Sequence, residues 1–218
     1  MLKFFVEGFR INALFTLFSR ITGFLRDMFF AHYLGAGFHS DIFFVATKLP
    51  NLFRRITAEG ALTSSFLPIY SGLINGNQKI LAENFSKLIF IILLVFVTLL
   101  TIILQIFLDE VIIFIAPGFL DNKKLLDEIV TLSRFTIFFM PIISIVALFG
   151  AMLNASGRFG PFAFIPIIIN ITFIFSCLMI TDDLKIKSLP LAISLPIAGL
   201  IQLIFILYFA WRYKLINK

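Results

Sequence analysis

A single cysteine, Cys177, in 218 residues excludes an intrachain disulfide and any CxxC-type metal or redox site. Histidine is nearly as scarce: His32 and His39 straddle a Gly35-Ala36-Gly37 turn, need not share a face, and supply too few ligands for a metal centre. There is no Ser/His/Asp set and no HExxH sequence, so the chain reads as a non-enzyme that needs no metal or cofactor. Gly35-x-Gly37 lacks the GxxG continuation of a nucleotide loop and reads as a turn. Walker loops, heptad arrays and low-complexity tails are missing too. The basic start MLKFFVEGFR is not followed by a short apolar run and a small-residue cleavage site. The expectation is therefore no cleavable signal and a first helix that directs its own insertion. Charge is the last scarcity: 14% of residues are charged, against about a quarter in ordinary globular domains.

What fills the chain instead is apolar. Hydrophobic residues make up 60% and mean hydropathy is +1.05, which implies a polytopic membrane protein without a sizeable soluble domain. A spanning helix needs about 20 mostly apolar residues. Six segments meet that need, at residues 11–33, 40–74, 85–108, 129–154, 162–180 and 189–211. The second is too long for a hydrocarbon core of about 30 Å, and Pro50 and Pro68 offer places to bend it. Pro141, Pro166, Pro190 and Pro196 point to further bent or broken helices. The expected fold is all-α: six transmembrane helices forming one lobe.

Lysine and arginine in the short loops set the orientation. With the N-terminus inside, Lys3, Arg10, Lys79, Lys87, Arg158, Arg212, Lys214 and Lys218 fall inside. The outside then receives the neutral turn at 34–39, the acidic loop at 109–128 and the balanced loop at 182–187. Both termini are expected on the cytoplasmic side, with Trp211 as an interfacial anchor. The net charge of +6 is accounted for by these loops, so nucleic acid is not an expected partner.

One stretch breaks the apolar pattern. Residues 19–59 hold Arg20, Arg26, Asp27, Asp41, Lys48, Arg54, Arg55 and Glu59. Each costs about 2.5–3.5 kcal/mol at the centre of a membrane helix, so they are expected to line a wet or protein-lined cavity. At about 100° per residue, Thr16, Arg20, Gly23 and Asp27 share a stripe of the first helix, and Ser19, Thr22 and Arg26 form the adjoining one. On an unbroken second helix Asp41, Lys48, Arg55 and Glu59 fall nearly in register, with Arg54 turned away. Five cations meet three anions, so at least two cations remain for water, backbone carbonyls or an anion. Arginine stays charged and offers a planar fork of donors, which favours a phosphate-bearing anion. Blander readings stand beside this one. Arg10, Arg134 and Arg212 read as snorkelling or topogenic residues at helix ends. Arg54 and Arg55 read equally as cytoplasmic charge if the second helix leaves the membrane there. Asp27 reads equally as a counter-ion holding Arg20 or Arg26. Asn154 and Asn170 are either interhelical hydrogen-bonding groups or cavity lining.

At these residues the sequence resembles the MurJ (MviN) family of lipid II flippases. The resemblance is carried by SRITGFLRD at 19–27, GAG at 35–37, SDIFFVATKLPNLFRRITAEGALTSSFLPI at 40–69, APGF at 116–119 and GAMLNASGRFGPFAFIPIIINI at 150–171. It implies translocation of an undecaprenyl-diphosphate-linked peptidoglycan precursor across the bacterial cytoplasmic membrane, and a two-lobed exporter fold with a central cationic cavity. On that resemblance Arg20, Arg26 and Arg54 bind substrate, while Asp27, Asp41 and Glu59 support them by ion pairing. Lys48 and Arg55, from their place in the same charged stretch, are expected to join that ion pairing. The expected partners are the lipid-linked diphosphate sugar, membrane lipids and a separate second lobe. Residues 1–218 are expected to be a single N-terminal lobe, the second lobe being absent. The alternatives are a non-autonomous or degenerate lobe of a split or truncated transporter, and an exporter of another amphipathic anion.

Overall fold

The computed structural model describes residues 2–215; the side chains of residues 2–11 and of residues 58, 59, 61 and 63 lie outside the described set, and with them the roles expected of Lys3, Arg10 and Glu59, as does Lys218 entirely. The described chain is helical throughout, without a strand among the described residues.

Helix α1 (Leu2–Tyr33) holds no proline and runs unbroken until Leu34 N–H closes on the Phe30 carbonyl at 2.9 Å. Gly35, with φ of 69°, then turns the chain in a conformation that side chains with a Cβ resist. The stretch expected as one helix over 40–74 is four pieces: α2 (Phe38–Ala46), α3 (Lys48–Arg54), a π-helical segment (Arg55–Phe66) and α4 (Leu67–Asn75). Pro50 gives the physical reason for the first break. It has no N–H for the Ala46 carbonyl four residues back. The buried Thr136 hydroxyl donates to that carbonyl instead, at 2.7 Å. The break and the wider π turn also undo the single register expected for Asp41, Lys48, Arg55 and Glu59.

The remainder is α5 (Lys79–Ile106), α6 (Leu108–Ile115), a 3₁₀ turn (Pro117–Phe119), α7 (Lys123–Thr136), α8 (Phe139–Ala155), α9 (Phe159–Cys177) and α10 (Leu189–Arg212). The segment expected at 129–154 therefore starts earlier and is interrupted between Thr136 and Phe139. Pro141 has no N–H for the Ile137 carbonyl, which accepts from the Met140 N–H at 3.0 Å instead. Among the described residues, four stretches are long and apolar enough to cross a membrane: Lys79–Ile106, Lys123–Ala155, Phe159–Cys177 and Leu189–Arg212. Helix α1 is outside this set, since Arg20, Arg26 and Asp27 interrupt its apolar run.

Helix α8 is the centre of the packing, with buried residues on every side of it and α5, α9, α10 and the π-helical segment around it. Helix α1 lies along α9, and α9 along α10. Phe30, Phe43 and Phe173 meet edge to face at 5.6–5.9 Å and join α1, α2 and α9. Helix α5, by contrast, presents Leu88, Ile91, Ile92, Val95, Phe96, Leu99, Ile102 and Ile103 outward. An outward apolar face of that length is what hydrocarbon solvates and water does not.

Candidate functional site

Between α1, α3, α8, α9 and α10 lies a cavity of about 610 Å³. Its polar lining is Ser19, Arg26, Asp27, Thr47, Asn51, Arg54, Asn170 and Gln202; phenylalanines 30, 43, 44, 139, 162 and 173 supply much of the rest. The volume is that of an ordinary small-molecule site, apolar with a few convergent polar groups.

Arg26 is held most completely. Its Nε and Nη2 donate to Asp27 Oδ1 at 2.9 and 2.7 Å, and its Nη1 donates to Asn170 Oδ1 at 2.9 Å. Asn170 is itself fixed, because its Nδ2 donates to the Ser19 carbonyl and to Thr22 Oγ1, both at 3.1 Å. That pattern decides which end of the amide faces Arg26. Phe30 stacks under the guanidinium, 5.7 Å from ring centre to Cζ. A guanidinium has five N–H groups and three are used here. One N–H on each terminal nitrogen is left for a ligand. Arg54, half-buried at the end of α3, faces the same space from another wall.

The eight expected site residues therefore separate. Arg26, Asp27 and Arg54 share the cavity. Arg20 is exposed in a shallower groove with Asn12, Thr16 and Ala163, which adjoins the cavity through Ser19, Phe162 and Pro166. Asp41, Lys48 and Arg55 are exposed and line neither. Glu59 lies in the π-helical segment, its side chain outside the described residues. Two arginines and one aspartate line the cavity, a formal charge of +1 where the whole constellation gave +2. Arg134, expected to snorkel, instead pairs with Asp109 at 3.3 Å and exchanges hydrogen bonds with Gln105. Asn170, for which two readings stood, satisfies both: it bonds across helices and lines the cavity. Asn51 and Gln202 escaped the sequence reading. Gln202 had a usable signal, since an amide in the middle of an apolar span is costly unless it has a partner.

Residues 30–218 match the family model described as lipid II flippase MurJ. The chain belongs to the MurJ family. It is a multi-pass protein of the bacterial inner membrane. Among its relatives, a probable lipid II flippase MurJ of Rickettsia prowazekii is 38% identical over 195 residues, 89% of this chain and 38% of that protein. A probable lipid II flippase MurJ of Aquifex aeolicus is 35% identical over 212 residues, 96% of this chain and 41% of that protein. A solved structure of lipid II flippase MurJ in an inward closed conformation superposes with a TM-score of 0.75 at 26% identity, over 90% of this chain and 41% of that one. The chain thus spans about two fifths of the length of the MurJ proteins it matches.

Proposed function

We propose that this chain is the N-terminal lobe of a two-lobed MurJ flippase, crossing the membrane six times with both termini inside. Its cavity is one wall of the path by which lipid II, the undecaprenyl-diphosphate-linked peptidoglycan precursor, moves from the inner to the outer leaflet. The polyprenyl tail stays in lipid while the diphosphate passes through protein. Alternating access of the two lobes about the site carries the cargo across, and binding supplies the bias between the two states.

The observation that carries this reading is the Arg26 fork. It is preorganised by Asp27 on one edge and Asn170 on another, and it retains donors on both terminal nitrogens. Such a fork matches two oxygens of a phosphate, and a site so prepared loses little entropy on binding. Arg54 adds a second guanidinium on the α3 wall. Asp27 positions Arg26 and tempers its charge, which keeps an anion from being held too tightly to leave. Arg20, in the adjoining groove, meets the phosphate on its way in. Asp41, Lys48 and Arg55 act outside the cavity described, pairing with other groups of the assembly.

The test is binding of a polyprenyl diphosphate to the chain in nanodiscs, comparing Arg26→Lys with Arg26→Ala. Lysine keeps the charge and loses the fork. The expected result is that both variants weaken binding by about tenfold or more, since a charge-assisted hydrogen bond is worth about 1.5–3 kcal/mol. Lysine at wild-type affinity would sink the bidentate reading.

A further inference from the structure

Gln202 stands midway along α10, about 20 Å from its first residue at about 1.5 Å per residue, and is 1% exposed. Its Nε2 donates to the Ile165 carbonyl of α9 at 3.0 Å. Its Oε1, equally buried, has no partner among the described residues. Reversing the amide would set oxygen against the Ile165 carbonyl oxygen, so the orientation is fixed by the one bond it makes. Gln202 also lines the cavity. A buried acceptor without a donor is destabilising, and the residues around it supply none.

Phosphate cannot relieve it either, because phosphate oxygens accept. The group that fits Oε1 is a hydroxyl or amide N–H. Its place relative to the arginine follows from α9. Gln202 bonds at Ile165 and Arg26 bonds at Asn170, five residues further on, about 7.5 Å along the helix axis. The offset runs toward Phe159 and Arg158, the side on which the proposed topology puts the cytoplasm. Cargo entering from the inner leaflet would carry its sugar on that cytoplasmic side of the diphosphate, since the polyprenyl tail lies on the other.

We propose that Gln202 is a specificity-determining residue, its Oε1 accepting a hydrogen bond from the first sugar of a lipid-linked diphosphate while Arg26 holds the phosphate. This rests on the cavity being a diphosphate-lipid site. Arg26 and Arg54 then bind any diphosphate lipid, and Gln202 separates glycosylated cargo from the bare carrier.

The experiment measures affinity of the chain in nanodiscs for two probes, a polyprenyl diphosphate and the same lipid carrying one N-acetylated hexosamine. Wild type is expected to prefer the glycosylated lipid. Gln202→Leu is expected to lower that preference, read as the ratio of the two affinities, by about tenfold, the scale of one hydrogen bond. A purely structural staple between α9 and α10 would shift both affinities together and leave their ratio alone. Gln202→Met, an uncharged side chain of similar length, also lacks the acceptor, so it should lose the preference too and guards against Gln202→Leu failing to fold. An unchanged ratio in either variant, or equal wild-type affinity for the two lipids, overturns the role of Gln202 while the diphosphate site stands. Failure of wild type to bind either lipid overturns both.

Discussion

The side-chain oxygen of Asn170 accepts a hydrogen bond from Arg26 Nη1 at 2.9 Å, across 144 positions of sequence. This contact ties α9 to α1 at the cavity wall and sets the plane of the guanidinium. Asn170→Ala removes it and strips the Ser19 carbonyl and Thr22 of their amide donor. The expected outcome is a loss of about tenfold in polyprenyl diphosphate affinity, with Arg26 still charged but no longer oriented. Binding isotherms on the variant check it, and wild-type affinity would show that orientation of Arg26 is unimportant.

Thr136 replaces a hydrogen bond that Pro50 forbids. The Ala46 carbonyl receives the Thr136 hydroxyl at 2.7 Å inside a fully buried contact. Thr136→Val leaves that carbonyl without a donor and should destabilise the chain by about 1–3 kcal/mol. Pro50→Ala restores an N–H at the helical position, so the cost of Thr136→Val should shrink in the double variant. Thermal unfolding of the four proteins of this cycle measures the coupling, and strict additivity would refute the substitution of one bond for the other.

Gly150 gives Phe162 its place. A Cβ built on Gly150 would overlap the Phe162 ring, and Phe162 lines both the cavity and the groove that holds Arg20. Gly150→Ala should therefore cost about 1–3 kcal/mol of stability through overpacking and push the ring into the cavity. Phe162→Leu in the same chain should recover most of the loss. A melting temperature for Gly150→Ala equal to wild type would mean that α8 and α9 separate there without cost.

In the loop after α9, Lys187 Nζ donates to Asp182 Oδ1 at 2.6 Å. That hydrogen bond, with the lysine charge behind it, holds the Asp182 carboxyl below the usual carboxylate range. The folded value being depressed, the pairing favours the folded loop above the ordinary aspartate pKa and loses its effect as pH falls through the lowered value. Lys187→Gln should raise the Asp182 titration toward the ordinary range, followed by carboxyl NMR. Because the Asp182 carboxylate is open to solvent, unfolding at neutral pH should change little. An Asp182 titration that ignores the substitution would refute the pairing.

Much was legible in the sequence, for reasons that can be named. Long apolar runs give α9 and α10 to within a few residues, and α5 apart from its earlier start at Lys79, because an apolar segment of spanning length has few other stable forms. The anomaly of Arg26 and Asp27 in an apolar helix pointed to the cavity they line. The register of the second segment was not legible. Pro50 announces a bend but not its partner, and nothing local foretells a π-helical segment from Arg55 to Phe66. Asp41, Lys48 and Arg55 consequently face away from the cavity that a straight helix would have aimed them at.

The sequence by itself determined the membrane class, the family through its local motifs, and the presence of arginines within an otherwise apolar helix. These follow from composition and from spacing along one helix, which are local properties. Only the tertiary structure decided which charges meet. Arg26 finds Asn170 and Gln202 finds Ile165 because α9 packs between α1 and α10. Those pairings depend on helix rotation and depth, which side-chain packing sets and no periodicity in a single helix records.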